Sequence, residues 1–430
     1  MRIAAGTVLS MSPGDAPSVR DLAIEGDRIV ERAGGETIDA SGCYVLPGLV
    51  QTHVHLVQTI FRGLAEDRAL LEWLRERVWP LEAAHDDSSL RASVRLGLLD
   101  LITTGTTTIL DMGTTHGGDV VFEELAGSGI RARSGQSMMD AGDGVPLGLR
   151  EATRDSLAAS EALAARWHGA AAGRVGYAYA PRFALSCTRE LLEAVAERTR
   201  ARGLLIHTHT NENREERALI ERATGRAPVA YLDDVGLVTE RSVLAHGVHL
   251  DDAELAILRA RGARITHCPS SNLKLGSGIA DVRALRERGI TVGIGADGAA
   301  CNNRLDAFEE LRLAALLAAA LHGPGTIGTL DALAMGTRDG ALALGLEREI
   351  GTLVVGKKAD VVIVDAERLA GPGGDPATRV VFGGGSRAVR DVIVDGRVLV
   401  RNGRPLMLDP AEVRARAGEA LPGLVARAGL

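Results

Sequence analysis

The sequence predicts an α/β protein built on a (β/α)₈ barrel, with a small β-sandwich assembled from both ends of the chain. Eight short apolar segments alternate with amphipathic segments over about 300 residues, an arrangement typical of such barrels. Hairpin-like patterns lie near both termini, outside this alternating region. No Gly-x-Gly-x-x-Gly follows the first apolar segment, which disfavours a dinucleotide-binding sheet.

The predicted barrel strands are short apolar runs bounded by turn residues. They cover residues 45–51, 107–111, 131–135, 174–179, 203–207, 242–246, 263–267 and 291–295. The amphipathic segments between them predict helices, for example over 188–202, 252–261 and 281–288.

The two ends of the chain resemble each other in pattern. Residues 21–30 contain two short strands around Gly26, and residues 392–400 contain two around an Asp-Gly turn. The β-branched run at 359–364 adds a further strand. We therefore predict a composite β-sandwich over 1–47 and 348–405, a barrel over 48–347 and a C-terminal helical tail over 406–430.

Composition and charge exclude several classes of protein. Hydrophobic residues make up 46% of the chain and charged residues 24%, with a formal net charge of −7 and no cluster of Lys and Arg. This pattern disfavours binding to nucleic acid or to a membrane surface. The N-terminus lacks a signal-peptide pattern, and no apolar stretch approaches the roughly 20 residues of a membrane span. The few cysteines form no Cys-x-x-Cys pair, so we expect reduced thiols in a cytoplasmic protein.

The pair His53 and His55 ends the first predicted strand. Side chains two residues apart on a strand point to the same face, so the two imidazoles can converge on one point. Neutral imidazole is the commonest metal ligand in proteins. The pair predicts half of a metal site, although two hydrogen-bonded polar residues at a strand end would give the same pattern.

Four more polar residues follow later apolar runs: His209 with Glu212 three residues on, then His246, then Asp297. The carboxyl ends of barrel strands meet at one face, which carries the active site. Residues far apart in sequence would therefore face a single cavity. Three His and one Asp suit a divalent first-row metal such as zinc or iron, which can lower the pKa of a bound water to about 7.

The remaining histidines have simpler interpretations. His207 lies two residues before His209, so either could be the ligand; Glu212 favours His209 and leaves His207 as a structural, hydrogen-bonded residue. His246, taken alone, is more typical of a hydrogen-bonded histidine in a buried core, and only its position at the end of a predicted barrel strand indicates a role in the site. We expect no ligand role for His249 and His267, and surface or loop positions for His85, His116, His168 and His322.

Several motifs together resemble the amidohydrolase superfamily, in its branch of nucleobase and nucleoside deaminases and triazine hydrolases. They are Pro47-Gly48-Leu49-Val50 with Thr52-His53-Val54-His55, His209-Thr210-Asn211-Glu212, Ala245-His246-Gly247, His267-Cys268-Pro269-Ser270-Ser271-Asn272-Leu273 and Ala296-Asp297-Gly298. The resemblance runs from about Met1 to Pro405. It implies a metal-dependent barrel with a β-sandwich built from both chain ends.

The resemblance also implies roles for individual residues. The metal ligands would be His53, His55, His209 and Asp297. Glu212 would protonate a ring nitrogen, His246 would help to orient or activate water, and Asp297 would also take a proton from that water. Many relatives with two metals use a carboxylated lysine on the fourth strand, which here contains no lysine. We therefore expect one divalent metal per subunit, zinc ahead of iron, and a homo-oligomer (a dimer or tetramer).

The substrate-binding residues implied by the resemblance are Gln58, Trp73, Glu82 and Arg182. The run from Phe61 to Glu82 resembles deaminases of S-adenosylhomocysteine, methylthioadenosine or 5′-deoxyadenosine. In these enzymes the Glu82 position holds the ribose hydroxyls and the Trp73 position helps to close the pocket. The expected reaction is hydrolysis of a C–N bond in a cyclic amidine, which releases ammonia from a 5′-substituted adenosine.

Two of these positions favour a different substrate. Gln58 and Arg182 resemble guanine deaminases, so guanine or a related 2-amino-4-oxo ring (isocytosine, pterin, 8-oxoguanine) is an alternative. An arginine in a simple ion pair at a strand end would give the same sequence. A triazine hydrolase and a non-catalytic homologue are further alternatives, which the complete set of ligands and acids disfavours.

Overall fold

The computed structural model describes residues 1–430 and contains two β-sheets. The larger sheet holds eight parallel strands, each paired with the next, and closes because the last strand pairs with the first. The strands are Leu49–His55, Thr106–Asp111, Arg131–Ser134, Val175–Pro181, Leu205–Thr210, Ser242–His246, Arg264–His267 and Val292–Ile294. Two short strands, Ser137–Met138 and Asp297–Gly298, extend the barrel at its rim. The predicted (β/α)₈ barrel is confirmed.

The limits predicted for two barrel strands were wrong. The apolar run at 45–51 belongs to two strands: Cys43–Pro47 lies in the smaller sheet, and the first barrel strand begins at Leu49. Both strands are buried throughout, so hydrophobicity does not mark the boundary at Gly48. The fifth strand continues to Thr210, because its histidines point into a polar barrel interior. Apolar patterning alone therefore ended that strand too early.

The smaller sheet contains nine strands from both ends of the chain. They are Arg2–Val8, Ser18–Glu25, Arg28–Val30, Thr37–Asp39, Cys43–Pro47, Val361–Asp365, Val389–Val394, Arg397–Arg401 and Arg404–Pro405. The two halves join where Cys43–Pro47 pairs antiparallel with Val361–Asp365. The residue limits given above for the separate units stay a prediction.

Helices cover the outside of the barrel and its rim. The α-helices are Leu70–Trp73, Trp79–Ala83, Asp87–Thr103, Gly118–Ser128, Thr153–Trp167, Arg189–Arg202, Arg214–Thr224, Pro228–Asp234, Asp252–Arg261, Pro269–Lys274, Val282–Glu287, Ala299–Asn302, Ala307–His322, Thr329–Met335, Arg338–Ala343, Pro376–Phe382 and Pro410–Ala428. Short 3₁₀ segments are Leu56–Phe61, Ala184–Ser186, Ala366–Arg368 and Gly385–Ala388, and Leu74–Val78 is a π-helical segment. None of these helices is both long enough and apolar enough to cross a membrane.

The last helix, Pro410–Ala428, packs against the segment that carries Trp73. It packs along Asp87–Thr103, and Ala417 and Leu424 join the buried cluster that contains Trp73. Because apolar burial supplies most of the packing free energy, this helix helps to fix the segment that carries Trp73.

A buried carboxyl group ties together the loops after the seventh and eighth strands. Glu310 is fully buried and accepts hydrogen bonds from Ser270 N at 3.1 Å, from Ser270 Oγ at 2.5 Å and from Asn302 Nδ2 at 2.9 Å. Burial raises the pKa of Glu310 to about 7, although these donors oppose the shift. The protonated form is therefore favoured in the folded protein relative to the unfolded chain.

We expect Glu310→Gln to change how stability depends on pH. A carboxyl whose pKa is raised on folding makes the folded state bind more protons, so stability falls as pH rises from about 4.5 to about 7. Because the glutamine does not titrate, the variant's free energy of unfolding should rise relative to that of the wild type by up to about 3 kcal/mol between pH 4 and pH 8. Urea unfolding at both pH values measures this, with Glu309→Gln as the partly exposed control. If the free energies of unfolding of Glu310→Gln and wild type differ by the same amount at both pH values, the raised pKa of Glu310 is wrong.

Candidate metal centre and active site

Four side chains converge at the carboxyl end of the barrel: His53, His55, His209 and Asp297. Their ligand atoms lie within 4.8 Å of one another. Asp297 Oδ1 is 3.2 Å from His53 Nε2 and 3.3 Å from His55 Nε2, and the Nε2 atoms of His55 and His209 are 3.1 Å apart. The structure thus brings together the four residues that the sequence predicts as ligands.

Asp297 reaches this group because of the chain's path after the eighth strand. Asp297–Gly298 pairs in parallel with Val54 and His55 of the first strand. A Cβ atom at Gly295 would lie 2.5 Å from the His53 carbonyl oxygen, so only glycine allows this close approach. The Gly-rich sequence before Asp297 therefore has a direct structural role in the site.

The donor atoms fit a cation. His209 Nδ1 donates to the Arg182 carbonyl oxygen at 2.6 Å, which leaves the His209 Nε2 lone pair facing the centre. His53 Nε2 is buried and makes no hydrogen bond. Burial lowers the pKa of His53, and lowers those of His55 and His209 further, which favours the neutral form of each imidazole. Neutral imidazoles beside a carboxylate are a donor set for a divalent first-row metal.

A second group of side chains shares Asp297. His246 Nε2 lies 3.4 Å from Glu212 Oε2 and 3.9 Å from Asp297 Oδ2. His246 Nδ1 is 2.9 Å from Asn272 Oδ1, and Ser271 Oγ donates to Asp297 Oδ2 at 2.7 Å. Ser271 and Asn272 lie within the His267–Leu273 motif, but their contacts were not predicted from the sequence. They fix the orientations of Asp297 and His246.

The pKa values of the two carboxyl groups of the site, Glu212 and Asp297, are shifted in opposite directions. Burial raises the pKa of Glu212 well above its usual range, and the charges of Asp297 and Glu216 add to this effect. Burial would also raise the pKa of Asp297, but the neighbouring imidazoles, His53 first, hold it well below its usual range. Such a pair separates an acid from a base: Glu212 can donate a proton and Asp297 can accept one.

A small cavity opens onto these groups. Its lining residues are His55, Gln58, Leu70, Trp73, Leu74, Arg182, Phe183, His209, Glu212 and Asp297. Four of them, Leu70, Trp73, Leu74 and Phe183, are hydrophobic, and the buried Nε1 atom of Trp73 has no hydrogen-bond partner. An apolar wall with a few polar groups is typical of a small-molecule site.

Glu82 is held by two of the predicted substrate-binding residues. Arg182 donates through both terminal nitrogens, at 2.5 Å to Glu82 Oε2 and at 3.2 Å to Oε1. Gln58 Nε2 donates to Glu82 Oε1 at 2.9 Å. Gln58 and Arg182 line the cavity, whereas Glu82 lies behind them. The structure therefore contains Arg182 as an ion-paired arginine, which was one of the two interpretations of this residue in the sequence.

His85 lies in a loop, as predicted, but its side chain is half-buried: the ring packs against Phe61 and contacts the Val57 carbonyl oxygen at 3.0 Å. Burial lowers the pKa of His85 to about 4. The polar sequence around His85 does not indicate this burial, because the residues that cover the ring come from other parts of the chain.

Comparisons with known proteins agree with this geometry. Residues 44–399 match the family model described as "Amidohydrolase family". A 5-methylthioadenosine/S-adenosylhomocysteine deaminase of Halobacterium salinarum is 39% identical over 100% of this chain and 99% of that protein. A 5′-deoxyadenosine deaminase of Methanothermobacter thermautotrophicus is 36% identical over 93% of this chain and 88% of that protein.

A solved structure is similar along nearly the whole chain. It is an adenosine deaminase from Xanthomonas campestris with bound zinc, with 28% identity and a TM-score of 0.92 over 99% of this chain and 98% of that one. The family match covers most of the chain, and the relatives align over almost their full lengths. This chain therefore belongs to the amidohydrolase family.

Proposed function

We propose that this protein is a metal-dependent hydrolytic deaminase that releases ammonia from an adenosine-type nucleoside substituted at the 5′ position. The observation that carries the proposal is a pair of buried carboxyl groups at one cavity, with the pKa of Glu212 raised and the pKa of Asp297 lowered. Protonation of a ring nitrogen and removal of a proton from water need this pair of groups. The names of the relatives, which align along the whole chain, support the adenosine-type substrate.

The proposed cofactor is one divalent metal ion per subunit, zinc ahead of iron. His53, His55, His209 and Asp297 would hold it, and the zinc in the Xanthomonas structure supports this choice. The fourth strand, Val175–Pro181, offers no lysine for a second ion. When bound, the ion supplies Lewis-acid activation of the attacking water.

The protein's own side chains would move the protons. Asp297 Oδ2 takes a proton from water as its oxygen adds to the carbon that carries the amino group. Glu212 gives its proton to the adjacent ring nitrogen. Asp297 then returns the proton to the amino group, the C–N bond breaks and ammonia leaves. The hydroxyl proton of the adduct passes to Glu212 as the carbonyl group forms, which restores the acid. His246, which lies 3.4 Å from Glu212 and 3.9 Å from Asp297, orients the water between them.

Substrate contacts are proposed for Gln58, Trp73, Glu82 and Arg182. Trp73 covers the ring or the sugar, and Glu82 holds the ribose hydroxyls. A carboxylate has about four acceptor positions. Gln58 and Arg182 fill three of those on Glu82 and line the cavity in front of it. Contact between Glu82 and the ribose hydroxyls therefore requires Arg182 or Gln58 to turn towards the substrate.

A guanine-like ring is the second candidate substrate, because Gln58 and Arg182 line the cavity. Arginine only donates hydrogen bonds, so it favours a carbonyl oxygen on the substrate. Gln58 Oε1 is a buried acceptor without a partner and could meet a ring N–H. A 2-amino-4-oxo ring offers both groups.

Ammonia release separates the two candidates. The zinc-loaded protein would be assayed with methylthioadenosine, S-adenosylhomocysteine, 5′-deoxyadenosine, guanine, isocytosine, a pterin and a triazine. We expect the highest kcat/KM on a 5′-substituted adenosine. Activity on guanine with none on any adenine nucleoside would establish the second candidate and make Arg182 its selector.

Replacing Glu82 tests the contact with ribose. A hydrogen bond from a hydroxyl to a charged group contributes about 1.5–3 kcal/mol. Glu82→Gln should therefore lower kcat/KM on a nucleoside by about 10- to 150-fold, and by less on a substrate without the diol. Glu72→Gln, at an exposed position on the same segment, is the matched control. Equal losses on substrates with and without the diol would mean that Glu82 does not touch the sugar.

We further propose a cytoplasmic homo-oligomer, a dimer or tetramer. The four free, buried cysteines support a reducing compartment. Light scattering of the purified protein measures the oligomeric state directly, and a monomer at micromolar concentration would contradict that part of the proposal.

A further inference from the structure

His207 is a fully buried histidine next to the proposed metal centre. It lies on the fifth strand, two residues before His209, and its Nε2 atom is 2.8 Å from His53 Nδ1. On the other side of the ring, His207 Nδ1 is 3.1 Å from the Val243 carbonyl oxygen. His207 therefore connects a backbone carbonyl of the sixth strand with a histidine of the first.

The position of each proton in this chain of contacts is fixed. A carbonyl oxygen can only accept, so His207 Nδ1 carries a proton and donates to Val243. The ring is fully buried and its only two hydrogen-bond contacts are to His53 and to the Val243 carbonyl, so no carboxylate offsets the cost of a second proton and Nε2 is an acceptor. His53 Nδ1 must then be the donor to His207 Nε2. A neutral His53 consequently has a bare lone pair on Nε2.

That lone pair faces another acceptor. His53 Nε2 lies 3.2 Å from Asp297 Oδ1, it is buried, and no hydrogen bond satisfies it. Two acceptors at this distance repel each other unless a cation lies between them. The Val243–His207–His53 contacts thus aim the unprotonated nitrogen at the point where Asp297 also aims an oxygen.

We infer that His207 is a positioning residue for the metal: it fixes the tautomer and ring orientation of His53 so that Nε2 is always available as a ligand. For His209 the same task falls to a backbone group, the Arg182 carbonyl oxygen. His53 has no carbonyl at its Nδ1 and depends on a side chain. The inference rests on the metal site of the proposed function.

Replacing His207 should weaken metal binding without removing a ligand. Loss of a hydrogen-bond partner of a ligand typically costs 10–100-fold in metal affinity. We expect this loss of zinc affinity in His207→Leu, which has no acceptor, and a smaller loss in His207→Gln, whose amide oxygen can accept from His53. His267→Leu is the control, because the side chain of His267 is also buried and neither of its ring nitrogens makes a hydrogen bond. Its zinc affinity should stay within about 2-fold of wild type.

The experiment uses the full chain, stripped of metal and titrated with zinc against a chromophoric chelator. Thermal unfolding of the metal-free variants shows that each is folded, and the visible spectrum of the cobalt-loaded forms reports the coordination. In addition, ¹⁵N NMR of the metal-free wild type should show His53 protonated at Nδ1 and bare at Nε2. These measurements do not depend on any substrate, so a wrong substrate assignment leaves them unaffected.

Three results would overturn the inference. One is wild-type zinc affinity in folded His207→Leu. Another is equal loss in the Leu and Gln variants, which would show that the acceptor is irrelevant. The third is an Nε2-protonated His53 in the metal-free protein. A wild-type chain that binds no zinc or cobalt would overturn the proposed metal site together with this inference.

Discussion

His55→Ala removes one of the four proposed metal ligands, and we expect the variant to bind no metal and to lose at least roughly 10³-fold in kcat. A catalytic metal supplies several kcal/mol of transition-state stabilisation, and each 1.36 kcal/mol corresponds to a factor of ten. His55 is suited to this test because its Nδ1 atom has no hydrogen-bond partner, so its substitution breaks no other buried contact there.

Metal content is measured beside the rate. About one equivalent of zinc or iron should copurify with the wild type, and chelation should abolish ammonia release until metal is restored. His116→Ala is the matched control, because its side chain is 56% exposed. Two equivalents of metal in an active preparation, or full activity in His55→Ala, would show that the proposed mononuclear site is wrong.

Glu212→Gln should lower kcat by about 10²–10⁴-fold while the metal stays bound, as is typical for loss of a general acid. The substitution keeps the size of the side chain but removes the proton that burial and the charge of Asp297 hold on the carboxyl. Glu212 is not among the four converging ligands, so metal content should equal that of the wild type.

The neighbouring residue Glu215 gives the matched control. Glu215 lies in the first turn of the next helix and is exposed, so Glu215→Gln should retain full activity. If Glu212→Gln releases the metal instead, Glu212 is a ligand, and the proton must come from another group such as His246.

The convergence of His53, His55, His209 and Asp297 could be predicted because each of them ends or follows a strand with a recognisable pattern. The barrel's topology then requires these ends to meet at one face, whatever the sequence between them. His246 and Glu212 could be placed at this face in the same way, because hydrophobic runs and glycines mark the strand ends locally. The missing lysine on the fourth strand is likewise visible in the sequence alone.

The hydrogen-bond partners of those residues could not be predicted in the same way. Glu82 and Arg182 are 100 residues apart, and His53 and His207 are 154 apart. No local pattern distinguishes an arginine that contacts substrate from one that neutralises a buried carboxylate. His207 and His209 share a strand, and although Glu212 favoured His209 as the ligand, the two partners of His207, the Val243 carbonyl and His53, follow only from the structure.

Periodicity and strand ends are local properties, so they were enough to predict the barrel and the convergence of His53, His55, His209 and Asp297, whereas the proton-transfer roles proposed for Glu212, His246 and Asp297 come from the family resemblance. The tautomers of His53 and His209, the pairing of Glu82 and the limits of the first and fifth strands follow only from the packing of the folded chain. These depend on which buried donors and acceptors lie within about 3 Å of each other, a distance that packing of remote segments sets.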